Sequence, residues 1–251
     1  MSDSLHERHL DRERAGSFGS AAERYDRYRL RFPAALIEYL ATGGLDVLDV
    51  GAGTGIASEQ LAAAGARVLA VEPDARMAEL ARSKGVTVEP ATFEDWEPAG
   101  RRFDLVTFAR SFHWVEPVAA VAKVASVLRP GGRIAILGNH AFPVAPSAAE
   151  FRRVHAEFRE LQGGEQEARA WVESTRKILR DNGFDVDERE FDAPLHVDTD
   201  DWVNAEFTYS HNLTLPPEAQ GRLRTALADL IGPDGVEARD RGFVQLGTLG
   251  R

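Results

Sequence analysis

From position 45 onward the chain alternates short apolar, β-branched runs with stretches of helical spacing, the pattern that βαβ units and a parallel sheet produce. The runs predict strands at Asp46–Val50, Arg67–Val71, Val86–Glu89, Phe103–Phe108 and Arg133–Leu137. Between them, Ile56–Ala64 reads as a helix closed by Gly65, and Asp74–Lys84 as a helix opened by an aspartate cap and closed by Gly85. Val118, Val121, Val124, Val127 and Leu128 recur at helical spacing and stop at Pro130-Gly131-Gly132, a turn that has to precede the strand at Arg133. Ahead of this block, Phe32–Leu40 predicts a helix leading into the sheet, and Ala21–Leu30 a second helical piece outside it.

After Leu137 the texture changes. Ala141–Gly164 holds Pro143, Pro146 and a charged helical stretch, Phe151–Leu161, and reads as a cap over the sheet's edge. Arg169–Asn182 predicts a helix ending at Gly183, and Phe184–Val197 alternates as antiparallel edge strands do. Leu223, Leu227, Leu230 and Ile231 mark one more amphipathic helix, and Phe243–Leu249 can supply a last strand. The expected organisation is one domain over 1–251: a flexible tail at 1–17, a ligand-binding core at 18–140, and cap segments at 141–170 and 198–235.

Composition narrows the function classes. At 43% hydrophobic and 28% charged, the chain is of ordinary globular make-up, and no apolar run approaches the roughly eighteen residues that span a bilayer. Met1–Arg14 is dense in charge and lacks an apolar core, so export is not expected and a cytoplasmic location is. With no cysteine, disulfides, thiolate zinc sites and cysteine nucleophiles are excluded, and no metal site is expected. A net charge of -10 disfavours a nucleic-acid partner; the basic cluster Arg24, Arg27, Arg29 and Arg31 reads as a solvated helix face.

The strongest chemical feature is Val47-Leu48-Asp49-Val50 running directly into Gly51-Ala52-Gly53-Thr54-Gly55 and then a helix. Residues without a Cβ let the backbone turn sharply and let a ligand lie against its N–H groups, while the helix N-terminus adds partial positive charge. Glu72 ends the second strand about twenty residues on, where an acid can accept hydrogen bonds from two ribose hydroxyls. Loop and acid together predict a nucleoside site. Two details favour S-adenosylmethionine over a dinucleotide. Ile56 stands where a dinucleotide fingerprint wants a third glycine or alanine, and Asp49 would repel a pyrophosphate while suiting an ammonium and a sulfonium. A nicotinamide-dependent oxidoreductase and a non-catalytic binding protein of the same fold are the rival readings.

The glycine segment resembles motif I of class I S-adenosylmethionine-dependent methyltransferases, and Val71-Glu72-Pro73-Asp74-x-x-Met77 resembles their second-strand motif. Ala91-Thr92-Phe93-Glu94-Asp95-Trp96 resembles the acidic loop that frames adenine, Phe103–Thr107 the fourth-strand motif, and Leu128–Gly132 the turn before strand five. The resemblance covers about Phe18 to Gly138, a little over half the chain. It implies an α/β fold with a Rossmann-like, doubly wound, mostly parallel seven-stranded sheet, an antiparallel edge strand and a helical cap. It implies methyl transfer leaving S-adenosylhomocysteine, with Asp49, Gly51, Ala52, Gly53, Glu72, Pro73, Met77, Thr92, Phe93 and Glu94 around the cofactor. Thr92 stands where relatives often carry an aspartate on the adenine amino group, so the Phe93 N–H, Glu94 or Asp95 would hold the ring instead.

The pairing of Tyr25-Asp-x-Tyr-Arg29 with Phe112-His113-Trp114 is similar to the type 11 methyltransferases that include trans-aconitate methyltransferase-like enzymes. By that resemblance Tyr28 and Arg29 would close over the cofactor, Arg29 would pair with its methionine carboxylate, and Arg110 would lie beside the same end. In-line methyl transfer needs a base only where the acceptor must lose a proton. His113 and His140 are the candidates, with His211 beside Tyr209 a weaker third, and each reads more readily as a packed or hydrogen-bonded structural histidine than as a base. Ala109-Arg110-Ser111-Phe112 stands where nucleic-acid amino methyltransferases carry an Asn/Asp-Pro-Pro-aromatic signature, which with the acidic charge points to a small-molecule acceptor. Phe142–Leu161 and Trp202–Asn212 would shape its pocket in a monomer or homodimer without membrane contact. No residue set for a tricarboxylate is identifiable.

Overall fold

The computed structural model describes residues 22–41, 43–158 and 165–250. The expected tail at 1–17, the start of the motif block at Phe18, Ala21 and the last residues of Phe151–Leu161 lie outside the described residues. Two helices, α1 (Ala22–Tyr28) and α2 (Ala34–Leu40), lead into β1 (Asp46–Val50). Then come α3 (Ile56–Ala63), β2 (Arg67–Val71), α4 (Ala75–Ser83), β3 (Thr87–Glu89), β4 (Phe103–Ala109) and α5 (Pro117–Val127). The second half runs β5 (Leu128–Ala145), α6 (Ala148–Ala156), α7 (Glu165–Asp181), β6 (Phe184–Val197), α8 (Thr199–Glu206), α9 (Ser210–Leu213), α10 (Pro217–Ile231) and β7 (Val236–Leu249). All strands join one seven-stranded sheet in the order β3-β2-β1-β4-β5-β7-β6. The first five are parallel, and β7 runs antiparallel between β5 and β6.

Both faces of the parallel strands are covered, which is why they read as continuous apolar runs. Side chains alternate across them. Val47 and Leu105 turn toward α2 and α3, joining Leu36, Leu40 and Leu61. Leu48, Val50, Val106 and Phe108 turn to the other face, against Val121 and Val124 of α5 and Leu179 of α7. The helix starts are signed in the chain: Asp74 accepts the N–H groups of Arg76 and Met77 at 2.9 and 3.0 Å, Glu116 caps α5 ahead of Pro117, and Ser147 and Glu150 form a capping box on α6.

Two strands differ from the sequence reading. β5 begins at Leu128, absorbs Pro130-Gly131-Gly132 at a shift in its pairing with β4, and continues to Ala145, through the start of the expected cap segment Ala141–Gly164. β7 begins at Val236, well before the expected Phe243. Its outer half, Glu237-Ala238-Arg239-Asp240-Arg241-Gly242, carries no apolar run, and is held extended because β5 and β6 hydrogen-bond it from both sides. The result is an arm reaching past the ends of β1 and β4. One face of the arm holds the cap, where Phe151, Trp202, Phe207, Leu223 and Leu227 pack with Ala238 as a separate core.

Candidate active site

The glycine loop follows β1, whose last apolar residues are locked in the sheet. Gly51 and Gly53 take φ of +65° and +59°, a region that favours glycine, and a Cβ on Gly51 would stand 2.7 Å from the Ser111 Cβ. The loop does not hold its N–H groups open for a ligand, as the sequence reading had it. Gly51 and Ala52 both donate to the Val71 carbonyl, at 2.8 and 3.3 Å, and Gly53 donates to Glu72 Oε2 at 2.8 Å. The Asp74 N–H takes Glu72 Oε1 at 2.9 Å. The turn is thereby welded to the end of β2, and it offers a bare Cα surface beside an oriented carboxylate. Burial pushes the Glu72 pKa up, against the two backbone N–H donors.

A cavity of about 1950 Å³ opens at the carboxyl ends of the strands, between this loop and the arm. Of the expected cofactor residues, Arg29, Gly51, Ala52, Gly53, Glu72, Pro73, Met77, Thr92, Phe93, Glu94 and Arg110 line it, together with His113 and His140. Asp49 does not. The alternation of β1 turns it toward α3, where it is fully buried and accepts Ser58 Oγ at 2.6 Å and Thr107 Oγ1 at 2.8 Å. Burial drives its pKa up to about 6 despite those donors. Tyr28 also lies off the cavity, under the Arg27 guanidinium on a smaller side pocket. Tyr25 takes the place expected for it: one helical turn before Arg29, it shares that residue's face. Burial opposes ionisation of Tyr25, but the guanidinium groups of Arg29 and Arg110 outweigh it and lower the phenol's pKa.

The loop after β3 is fixed from behind. Lys123 of α5 donates to the carbonyls of Phe93, Glu94 and Trp96 at 2.7, 2.9 and 2.5 Å. Thr92 spends its hydroxyl on Asp95 Oδ2 at 2.7 Å, so it closes the turn. At the opposite end, Arg110 adopts φ +61°, a conformation costly for a side chain with a Cβ. That bend aims its guanidinium at the Leu30 carbonyl, 2.6 Å away, and at Asn139 Oδ1, while its buried Nε has no hydrogen-bond partner. Burial lowers its pKa. Arg29 lies 4.0 Å over the Tyr209 ring and donates to Thr208 Oγ1 at 3.3 Å. Desolvation by the atoms around it, followed by the charges of Arg29 and Arg110, brings the pKa of the solvent-accessible His140 down to about 4, so its imidazole is neutral at ordinary pH. His113 sits on the short turn Phe112–Trp114 with its ring tilted against Trp114.

Several lining residues were given no individual role in the sequence reading. Ser111 donates to the Val50 carbonyl and tucks under Gly51. On the cap side, His155 is buried with Nε2 3.4 Å from Glu206 Oε2. Phe142 and Arg241 come from the arm. Only Tyr25 carried a signal, its i, i+4 spacing from Arg29; the rest depend on pairings distant in sequence. Among the described residues, no cluster could hold a metal ion, and no helix is long and apolar enough to cross a membrane.

Comparison with known proteins finds methyltransferases. Residues 47–132 match a family described as the methyltransferase domain. That segment is about a third of the chain. It is 37% identical over 131 residues to an uncharacterised methyltransferase of Mycobacterium tuberculosis, covering 51% of this chain and 54% of that protein. It is 33% identical over 156 residues to demethylmenaquinone methyltransferase of Thermobifida fusca, covering 54% of this chain and 64% of that one. The chain thus spans about half the length of the first of these relatives. Among solved structures, a candidate type II methyltransferase from Anaeromyxobacter dehalogenans shares the fold with a TM-score of 0.61 at 22% identity, over 89% of this chain and all (100%) of that one. Haemonchus contortus phosphoethanolamine N-methyltransferase 2, solved with S-adenosyl-L-methionine, matches at 0.54 and 16%, over 95% and 57%. The matched segment spans β1, the glycine loop, Glu72 and β4. The matched family bears the general description and singles out no trans-aconitate subgroup.

Proposed function

We propose that the protein transfers a methyl group from S-adenosylmethionine to a small-molecule acceptor. The observation that carries this reading is the loop welded to Glu72: each carboxylate oxygen is oriented by one backbone N–H and keeps a lone pair for a ribose hydroxyl, beside glycines whose Cα surface lies against the cavity. Bound there, S-adenosylmethionine supplies a methyl carbon made electrophilic by its sulfonium. Glu72 would hold the ribose, Met77 and Phe93 would sandwich the adenine, and Arg29 and Arg110, which both line the cavity, would take the methionine carboxylate. Asp49 would act at one remove, by fixing β1 to α3 beneath the loop.

In-line transfer forms the new bond from an acceptor lone pair as the carbon–sulfur bond breaks, and its electron pair stays on sulfur. For a hydroxyl or amine acceptor, neutral His140 offers a ring nitrogen for the released proton. Cap segments 141–170 and 198–235 would shape the acceptor side, and the net charge of -10 disfavours nucleic acid there. Calorimetric titration with S-adenosylhomocysteine tests the reading. The expected outcome is saturable binding that Glu72→Ala weakens at least tenfold, about 1.4 kcal/mol, with unchanged circular dichroism. Absence of binding to the parent protein overturns it.

A further inference from the structure

The cavity extends well past the cofactor residues, since about 1950 Å³ exceeds the roughly 300–1,000 Å³ that one ligand commonly fills. Its far wall is the α7-facing side of the β5–β7–β6 arm, where His140 pairs across with Arg241 and Phe142 with Arg239. Phe142 is one of few exposed large apolar side chains, 44% accessible, and its ring lines the cavity. The His140 ring meets it edge to face at 6.4 Å, and the Arg241 guanidinium lies 4.8 Å over it. Arg241 has a carboxylate directly across in register, Asp192 of β6, but Arg239 takes that carboxylate at 2.8 Å. Among the described residues Arg241 has no ion pair, although the chain holds 40 Asp and Glu against 30 Lys and Arg. Glu190, two residues along β6, also lines the cavity without pairing to it. An unpaired guanidinium over an exposed aromatic ring, inside a cavity, is a recognition element for a flat anion: the ring stacks, and the fork binds a carboxylate.

We infer that Phe142 and Arg241 form the acceptor seat, and that the acceptor is a planar aromatic molecule bearing a carboxylate, with the atom to be methylated directed toward His140. This rests on the methyl-transfer reading for what happens next, but the seat itself is a binding site that can be measured alone. The test uses the full protein saturated with S-adenosylhomocysteine and three compounds: 1-hydroxy-2-naphthoate, 1-naphthol and tricarballylate. Calorimetry is expected to show hydroxynaphthoate binding at least tenfold more tightly than either of the others. Arg241→Gln should erase that advantage over naphthol while leaving naphthol unchanged, and Phe142→Ala should weaken both aromatics severalfold. Neither substitution should alter the affinity for S-adenosylhomocysteine. Equal binding of hydroxynaphthoate and naphthol, or tricarballylate binding as tightly as hydroxynaphthoate, overturns the proposal, as does an Arg241→Gln protein that keeps the preference. Binding of S-adenosylhomocysteine without binding of hydroxynaphthoate also sinks the seat. Hydroxynaphthoate binding in a protein that takes no S-adenosylhomocysteine leaves the seat standing and overturns methyl transfer instead.

Discussion

Asp49 shows how one residue can be read correctly for its place and differently for its role. It stands where an acid beside a sulfonium was expected, but the two-residue period of β1 aims it at Ser58 and Thr107, away from the cavity. Its raised pKa, about 6, means that the fold prefers the protonated carboxyl. The native state therefore holds a proton that the unfolded chain releases near its ordinary value of about 3.9. Stability from this group is full below that value, declines as pH rises toward about 6, and is flat above. His140 works in the opposite sense, since its depressed pKa adds stability as pH rises from about 4 toward the ordinary imidazole value. The informative comparison is therefore variant against parent. In urea denaturation, Asp49→Asn is expected to gain stability relative to the parent between pH 4 and about 6, by up to roughly 3 kcal/mol, and to gain no more above it. A constant difference at every pH would contradict the buried-carboxylate account.

At the scale of elements, the parallel core was legible because its strands are buried on both faces and its helices carry their own signals. β1, β2 and α4 fall where the apolar runs, Asp74 and Gly85 put them. What pattern alone did not expose is how α5 serves the site. Its valine stripe announces a core-facing helix, and nothing in that stripe marks Lys123, whose ammonium gathers three carbonyls of the loop after β3. Lys123→Met keeps the aliphatic stem and removes the donors. The expected result is S-adenosylhomocysteine binding weakened about fivefold, roughly 1 kcal/mol, with thermal unfolding still cooperative. Unchanged affinity would show that the loop holds its shape without the lysine.

At the scale of the molecule, Arg29 joins parts that the chain keeps far apart. It leaves the end of α1, lies over Tyr209 and donates to Thr208, which tethers the segment before the sheet to the α8–α9 region of the cap. Arg110 and Asn139 fasten the following residues from below, through the carbonyls of Leu30 and Arg31. Removing the side chain should loosen both sides together. Arg29→Ala is expected to speed amide hydrogen exchange in α1 and in α8, with exchange in β1 and β4 unchanged. Faster exchange confined to α1 would mean that the cap does not depend on this tether.

The sequence by itself determined the parallel sheet, the glycine turn and the acid at the end of β2, because each follows from local rules: side-chain period, backbone freedom and the distance along one βαβ unit. It also determined Tyr25 beside Arg29, through helical spacing that could have been read. Only the tertiary structure decided that the loop's N–H groups are spent on Val71 and Glu72, that Asp49 faces α3, and that β7 enters between β5 and β6. The physical reason is the same in each case. Hydrogen-bond partners and the conformation of a polar strand are set by what lies across a gap closed by distant chain. For Arg241 that meant a facing carboxylate already claimed by Arg239, a competition between neighbours that no local pattern records.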